Sequence, residues 1–173
     1  ARIKSSQPQG TEIYIAYNRR FYSSILCAED LIRQEGGIQS ALFEFTEWDH
    51  VIKGLAKPPE VKAQWFYANC THVIDTVFFE IGYPDEMCSY ASGGLSWHPT
   101  ASIFSGAGRT ERGVLFSYTA NWGSAGRWSI EFCTALSRYI LRPMEELQVM
   151  RKGSLKIEPV TVNGDLDIRF KPG

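Results

Sequence analysis

Histidine is scarce in this chain, with three among 173 residues, and one of them stands in a setting suited to proton exchange. His72 lies in Asn69-Cys70-Thr71-His72-Val73-Ile74-Asp75, within the longest helical pattern of the sequence. Residues three apart on a helix are neighbours, so His72 would sit beside both Asn69 and Asp75. A carboxylate next to an imidazole orients the ring and favours its charged form. Histidine is the usual group for taking a proton from a hydroxyl near neutral pH. Removal of hydride from a secondary alcohol needs such a base, because the hydroxyl proton must leave as the hydride moves. The same spacing also describes a half-buried helix histidine satisfied by Asp75 or by backbone, and on spacing alone that reading is the better supported.

Two further stretches carry recognition chemistry. Tyr17-Asn18-Arg19-Arg20-Phe21 follows an apolar-alternating run. Paired guanidiniums beside Asn and Tyr suit a carboxylate, a phosphate or sugar hydroxyls; a solvated turn bridging surface carboxylates is slightly favoured. Asn121-Trp122-Gly123-Ser124-Ala125-Gly126-Arg127-Trp128 joins two strand patterns. Trp122 with Asn121 and Arg127 suits a carbohydrate face, although a packed turn is the more frequent use of such a loop. Ser105-Gly106-Ala107-Gly108-Arg109-Thr110 contains G-x-G, but Glu111 stands where the fingerprint needs its third glycine and no helical pattern follows. It reads as a hairpin turn and not as a dinucleotide cradle. Cys70, His72, Cys88 and His98 match no structural zinc spacing, so no metal is expected.

The elements that must position these residues come in a simple order. Thr11–Tyr17 alternates like a strand, Tyr22–Gln34 has a helical apolar face stopped by Gly36-Gly37, and Gln39–Trp48 is an aromatic-rich strand. Residues 49–60 form a loop with a short helical turn. Lys62–Ile81 is the longest helix, ended by Gly82 and Pro84. Short β-rich runs follow at 86–92, 101–106, 113–121, 127–135, 138–150 and 155–162. Two early helices and many consecutive strands predict an α+β domain: a large open, mostly antiparallel sheet with helices packed on one face. Trp97, Trp122 and Trp128 either fill the core or line an interface on the uncovered face.

Bulk properties exclude several classes. Hydrophobic residues make up 44% and charged residues 21%, which is globular rather than disordered. The net charge of −1 and the lack of a basic stretch give no nucleic-acid footprint. No apolar run approaches the roughly 20 residues of a membrane span, so no membrane partner is expected. Cys27, Cys70, Cys88 and Cys133 are isolated, as in proteins of a reducing cytoplasm.

The order of the motifs resembles one family. Ala16-Tyr17-Asn18-Arg19-Arg20-Phe21-Tyr22, then Gly36-Gly37-Ile38-Gln39-Ser40, then Asn69–Asp75 with Ile81-Gly82, resemble the Gfo/Idh/MocA oxidoreductases. So do Gly126-Arg127-Trp128-Ser129-Ile130-Glu131 and Leu141-Arg142-Pro143-Met144-Glu145-Glu146-Leu147. The resemblance implies the C-terminal domain only, which binds substrate and assembles oligomers through its open sheet. It implies that residues 1–17 are the tail of an N-terminal Rossmann domain, that 18–173 are the α+β domain, and that the C-terminus is cut before a further helix.

The function implied is the substrate side of an NAD- or NADP-dependent oxidoreductase acting on a sugar, inositol or nucleotide-sugar hydroxyl or carbonyl. The parent would be enzymatic, and the fragment alone is expected to hold no cofactor and to be inactive. By the resemblance His72 is the catalytic histidine, Asn69 positions substrate and Asp75 holds the imidazole. Tyr17, Asn18, Arg19, Arg20, Trp122 and Arg127 would contact substrate. Ala68 departs from the family pattern, in which many members carry an aspartate one turn before the histidine. That departure, with the missing fingerprint, favours the alternative: a non-catalytic oligomerisation or sugar-binding module that keeps the fold.

Overall fold

The computed structural model describes Pro8 and residues 10–162. A 3₁₀ turn, Asn18–Phe21, leads into α1, Ser23–Gln34. Ile25, Ala28 and Ile32 of α1 are buried at helical spacing. Just past the helix, Glu35 accepts hydrogen bonds from Thr134 Oγ1, Ser137 Oγ and Arg151, which pin this end of α1 to the far strands. Strand β1, Ser40–Glu44, comes next, followed by two short helices, α2 (Asp49–Gly54) and α3 (Pro59–Lys62). A wide π turn, Phe66–Cys70, then opens α4, Thr71–Ile81. Gly82 ends α4 at φ 87°, a left-handed conformation that costs glycine little, and donates its N–H to the Phe78 carbonyl.

The rest is sheet: β2 (Pro84–Ser92), β3 (Ile103–Thr110), β4 (Leu115–Asn121), β5 (Ser129–Cys133), β6 (Ser137–Leu141), β7 (Leu147–Arg151) and β8 (Ile157–Pro159). Their spatial order is β2-β3-β4-β1-β5-β6-β7-β8. β1 is inserted between β4 and β5 and runs parallel to β4; every other pairing is antiparallel. The fold is therefore α+β with one open sheet, as the run of consecutive strands predicts.

Alternation decides which face is covered. Ala41 and Phe43 of β1, Phe116 and Ala120 of β4, and Ile130 and Phe132 of β5 belong to one core with Val73, Val77 and Ile81 of α4. Each such buried aliphatic or aromatic side chain contributes about 1.5–3 kcal/mol. The other face carries Leu42, Ser105, Ala107, Ser117 and Thr119 along a shallow groove of about 540 Å³ that Cys88 and Tyr90 also line. Trp122 and Trp128 are buried, and Trp97 packs against the same core, so these tryptophans are core residues.

Four expectations are corrected. Thr11–Tyr17 is irregular rather than a strand: it pairs with no strand among the described residues, and Ile13, Tyr14 and Ile15 are exposed. Without a ladder partner its alternation has no sheet to join. The helix expected over 62–81 is interrupted after Lys62 and again by the π turn. The run 138–150 is two strands, because Pro143 cannot donate to a ladder and a turn closes from Glu146 N–H to its carbonyl.

Finally, Ser105–Thr110 is the body of β3, and the turn falls at Glu111–Gly113. The glycines there answer to close packing. A Cβ on Gly106 would enter the Tyr118 ring, and one on Gly108 would strike the Glu86 carbonyl and the Phe116 ring. Residues 1–7, 9 and 163–173 lie outside the described residues, and with them the expectation of a cut C-terminus and part of the expected Rossmann tail.

Candidate functional site

Four segments converge on the ring of Trp128, which opens β5's approach from the β4–β5 loop. α4 brings His72, with its ring centroid 6.5 Å from that of Trp128. The 3₁₀ turn brings the Arg19 guanidinium, 5.7 Å from the Trp128 ring and 4.8 Å from Tyr22. The loop itself brings Arg127, 5.0 Å from Trp128 and 5.2 Å from Trp48. The end of β1 brings Glu47, whose Oε1 accepts from the Trp128 indole at 3.1 Å. Tyr17 closes the cluster by setting its ring edge against His72, 5.6 Å between centroids at 80°.

Two ion pairs frame this group. Arg20 engages both oxygens of Asp75 through Nε, at 2.6 Å, and Nη2. Its guanidinium also covers Phe79, at 4.3 Å. Asp75 therefore ties the 3₁₀ turn to α4, and the turn in its place holds Tyr17 on His72. Arg127 pairs with Glu47 Oε2 at 3.0 Å, while Asn69 donates to Glu47 Oε1 at 2.7 Å. Asn69 lies within the π turn and His72 in the regular helix that follows it, so the simple three-residue spacing of an α-helix does not relate them.

The structure thus gathers His72, Asn69, Asp75, Tyr17, Arg19, Arg20 and Arg127 into one region. Asn18 begins the 3₁₀ turn and is exposed. Trp122 goes elsewhere. It is 1% exposed, stacked on Trp97 at 6.0 Å and tilted against His98 at 4.9 Å, so its ring is not open to a sugar. Glu47 and Trp48 are members that no sequence motif marks, and Trp128 stands in the Asn121–Trp128 stretch without being singled out there as a site residue. The signal for Glu47 was present: in Phe43-Glu44-Phe45-Thr46-Glu47, strand alternation puts Glu47 on the face of Phe43 and Phe45.

Burial raises the Glu47 carboxyl above its ordinary value, opposed by Arg127 and by the hydrogen bonds from Asn69 and Trp128. Burial, and then the Glu47 charge, push the neighbouring Cys70 thiol up, so Cys70 is a protonated core thiol and not a nucleophile. Among the described residues no three His, Cys, Asp or Glu side chains gather as a metal site. No described helix is long and apolar enough to cross a membrane.

No protein-family model and no curated protein matches the chain. Solved structures do match its fold. A levoglucosan dehydrogenase in complex with NADH and levoglucosan shares 18% identity at a TM-score of 0.64, over 85% of this chain and 46% of that one. UDP-N-acetylglucosamine 3-dehydrogenase from Acidithiobacillus ferrooxidans shares 12% at 0.65, over 92% and 50%. An NAD-binding oxidoreductase from Klebsiella pneumoniae shares 15% at 0.66, over 85% and 46%. The chain spans about half the length of these structures. It has the fold of a C-terminal domain of NAD-binding oxidoreductases, the fold that the Gfo/Idh/MocA resemblance implies.

Proposed function

We propose that the chain is the substrate-side domain of an NAD- or NADP-dependent oxidoreductase acting on a sugar, inositol or nucleotide-sugar hydroxyl or carbonyl. The observation that supports this most is the Trp128 cluster: a half-buried imidazole packed between Tyr17 and an indole over which two guanidiniums also lie, on the fold of sugar-handling dehydrogenases. Aromatic faces and planar guanidiniums are suited to sugar rings and to carboxylate or phosphate groups. In this reading His72 exchanges the proton of the reacting hydroxyl, Asn69 and Arg127 orient the substrate, and Arg19 borders it. Asp75 acts through Arg20 by keeping Tyr17 against His72.

The nicotinamide supplies hydride exchange when bound. Ser105–Thr110 is strand, and no described glycine-rich turn opens a helix that could cradle its phosphates. The described residues do not fit the dinucleotide, which we assign to a preceding Rossmann domain of the parent protein. The open face, with Leu42, Ile103 and Leu115 exposed on it, is the surface we assign to self-association.

The test is turnover by the full-length product of the gene with levoglucosan, L-sorbose and UDP-N-acetylglucosamine, each with NAD and NADP. A proton-exchanging His72 predicts that His72→Ala lowers kcat by about 10²–10⁴-fold. Undiminished turnover would remove His72 from the chemistry. Cofactor-independent binding of these sugars with no turnover would favour a non-catalytic module.

A further inference from the structure

The proton-exchange chemistry leaves Glu47 unused, yet Glu47 is the most costly residue in the region. It is 2% exposed, just beyond the end of β1. Taking a carboxylate out of water is costly unless its oxygens are hydrogen-bonded and its charge is paired. Here both conditions are met. Asn69 comes from the π turn, while Arg127 and Trp128 come from the β4–β5 loop, and all three converge on one carboxylate. An apolar side chain of similar size would fill the space at less cost. It could not fix an amide, a guanidinium and an indole together.

Of the three groups that Glu47 fixes, Trp128 is buried, Asn69 is half-buried and Arg127 reaches the surface. Arg127 is held with its plane between Trp48 and Trp128, and its side chain is still 42% exposed while that of Glu47 is 3% exposed. Trp48 is fixed in turn by its indole hydrogen bond to the Gly126 carbonyl at 2.8 Å. Trp128 carries the contacts to His72 and Arg19.

We propose that Glu47 is the positioning residue of the His72 site, setting Asn69, Arg127 and Trp128 in register with the imidazole from beneath. The inference rests on reading the His72 region as the substrate site. Its test does not depend on turnover.

The charged and titratable groups around Glu47 are few. Arg127 and Cys70 touch it, and His72 and Arg19 lie beyond Trp128. On its own segment, Glu44 pairs with Arg142, Asp49 holds the Trp97 indole, and His50 stacks beside Trp48. In the wild-type chain, NMR of the indole, asparagine and histidine side chains should show Trp128 and Asn69 moving with one shared midpoint above the ordinary carboxylate range. Glu47→Gln should abolish that shared transition and shift the His72 ring signals. His98, in the separate Trp97–Trp122 cluster, should stay in place.

If Glu47→Gln does not fold, Arg127→Met tests the same link. Loss of the compensating cation should move the shared midpoint further up and displace the Trp48, Trp128 and His72 signals. A folded Glu47→Gln chain with unchanged Trp128, Asn69 and His72 signals would overturn the proposal, and so would an Arg127→Met chain with no such shifts. A full-length protein without dehydrogenase activity, but with these linked signals intact, would sink the proposed reaction while supporting the positioning role.

Discussion

The Arg20–Asp75 pair is the joint on which the cluster's geometry turns, and its strength can be worked from the structure. The guanidinium gives two hydrogen bonds to one carboxylate, with side-chain exposures of 24% and 15%. An exposed pair is worth about 0–1 kcal/mol, whereas removing one partner of a buried pair costs about 3–5 kcal/mol. This pair lies between those limits, and hydrogen bonds to charged groups contribute about 1.5–3 kcal/mol. Asp75→Asn should therefore destabilise the fold by about 2 kcal/mol, which lowers the melting temperature by roughly 4–8 °C for a domain of this size.

A double-mutant cycle assigns the partner. Urea unfolding of Asp75→Asn, Arg20→Met and the double variant should give a coupling energy of about 1.5–2.5 kcal/mol. The corresponding cycle of Asp75→Asn with His72→Ala should give a smaller coupling. On the proposal that Asp75 acts on His72 through the turn that Arg20 anchors, much of the effect of Asp75→Asn on the His72 ring should already be present in Arg20→Met. A larger coupling of Asp75 to His72 than to Arg20 would refute this account and restore Asp75 as the direct holder of the imidazole.

Two further outcomes follow from other places in the fold. Burial, with the like charge of Glu29, raises the Glu80 carboxyl to about 7, against the pull of Arg112, Arg20 and Arg33. A carboxyl raised on folding holds its proton in the native state, so stability falls as pH rises from the ordinary carboxylate range through about 7. Glu80→Gln should then stabilise the protein by about 1–2 kcal/mol at pH 8, after discounting for its partial exposure, and by almost nothing at pH 4; a gain independent of pH in chemical denaturation would contradict this. At Gly108, a methyl group would collide with the backbone of β2 and the ring of Phe116. Gly108→Ala should cost about 1–3 kcal/mol and loosen amide protection along β2, whereas a neutral result would show that the strands can separate there without penalty.

Much of the scaffold was legible because it is periodic. Ile25, Leu26, Leu31 and Ile32 announce α1, of which Ile25 and Ile32 are buried, and the alternation through Phe43 and Phe45 announces β1 and the face it buries. What periodicity cannot show is pairing. Thr11–Tyr17 alternates as well as β1 does, but a strand exists only where a neighbour supplies the ladder, and none of the described strands lies beside it. The helix over 62–81 failed for a related reason. Its apolar residues recur at helical spacing, yet the π turn over Phe66–Cys70 resets the phase ahead of His72, and one helical period does not register the change. Gly106 and Gly108 resembled turn residues because glycine serves two ends, and here it yields room to Tyr118 and Phe116 rather than freedom to the backbone.

The candidate site divides along the same line. His72 was visible on a helix and Arg19, Arg20 and Arg127 in loops beside strands, and the structure brings them together. Their partners were not visible, because partnership is set by β1 passing between β4 and β5. That insertion sets the end of β1, and so Glu47, beside the loop that carries Arg127 and Trp128, residues 80 and 81 positions away in sequence. Consider the opposite arrangement, with β1 at an edge of the sheet. Glu47 would then meet solvent on one side, Arg127 would lose its buried counter-charge, and Trp128 would lose its indole acceptor. The central place of β1 thus does more than bury Phe43. It delivers a carboxylate to Trp128, against which His72 also packs, and it does so beside the one parallel pairing among the described strands.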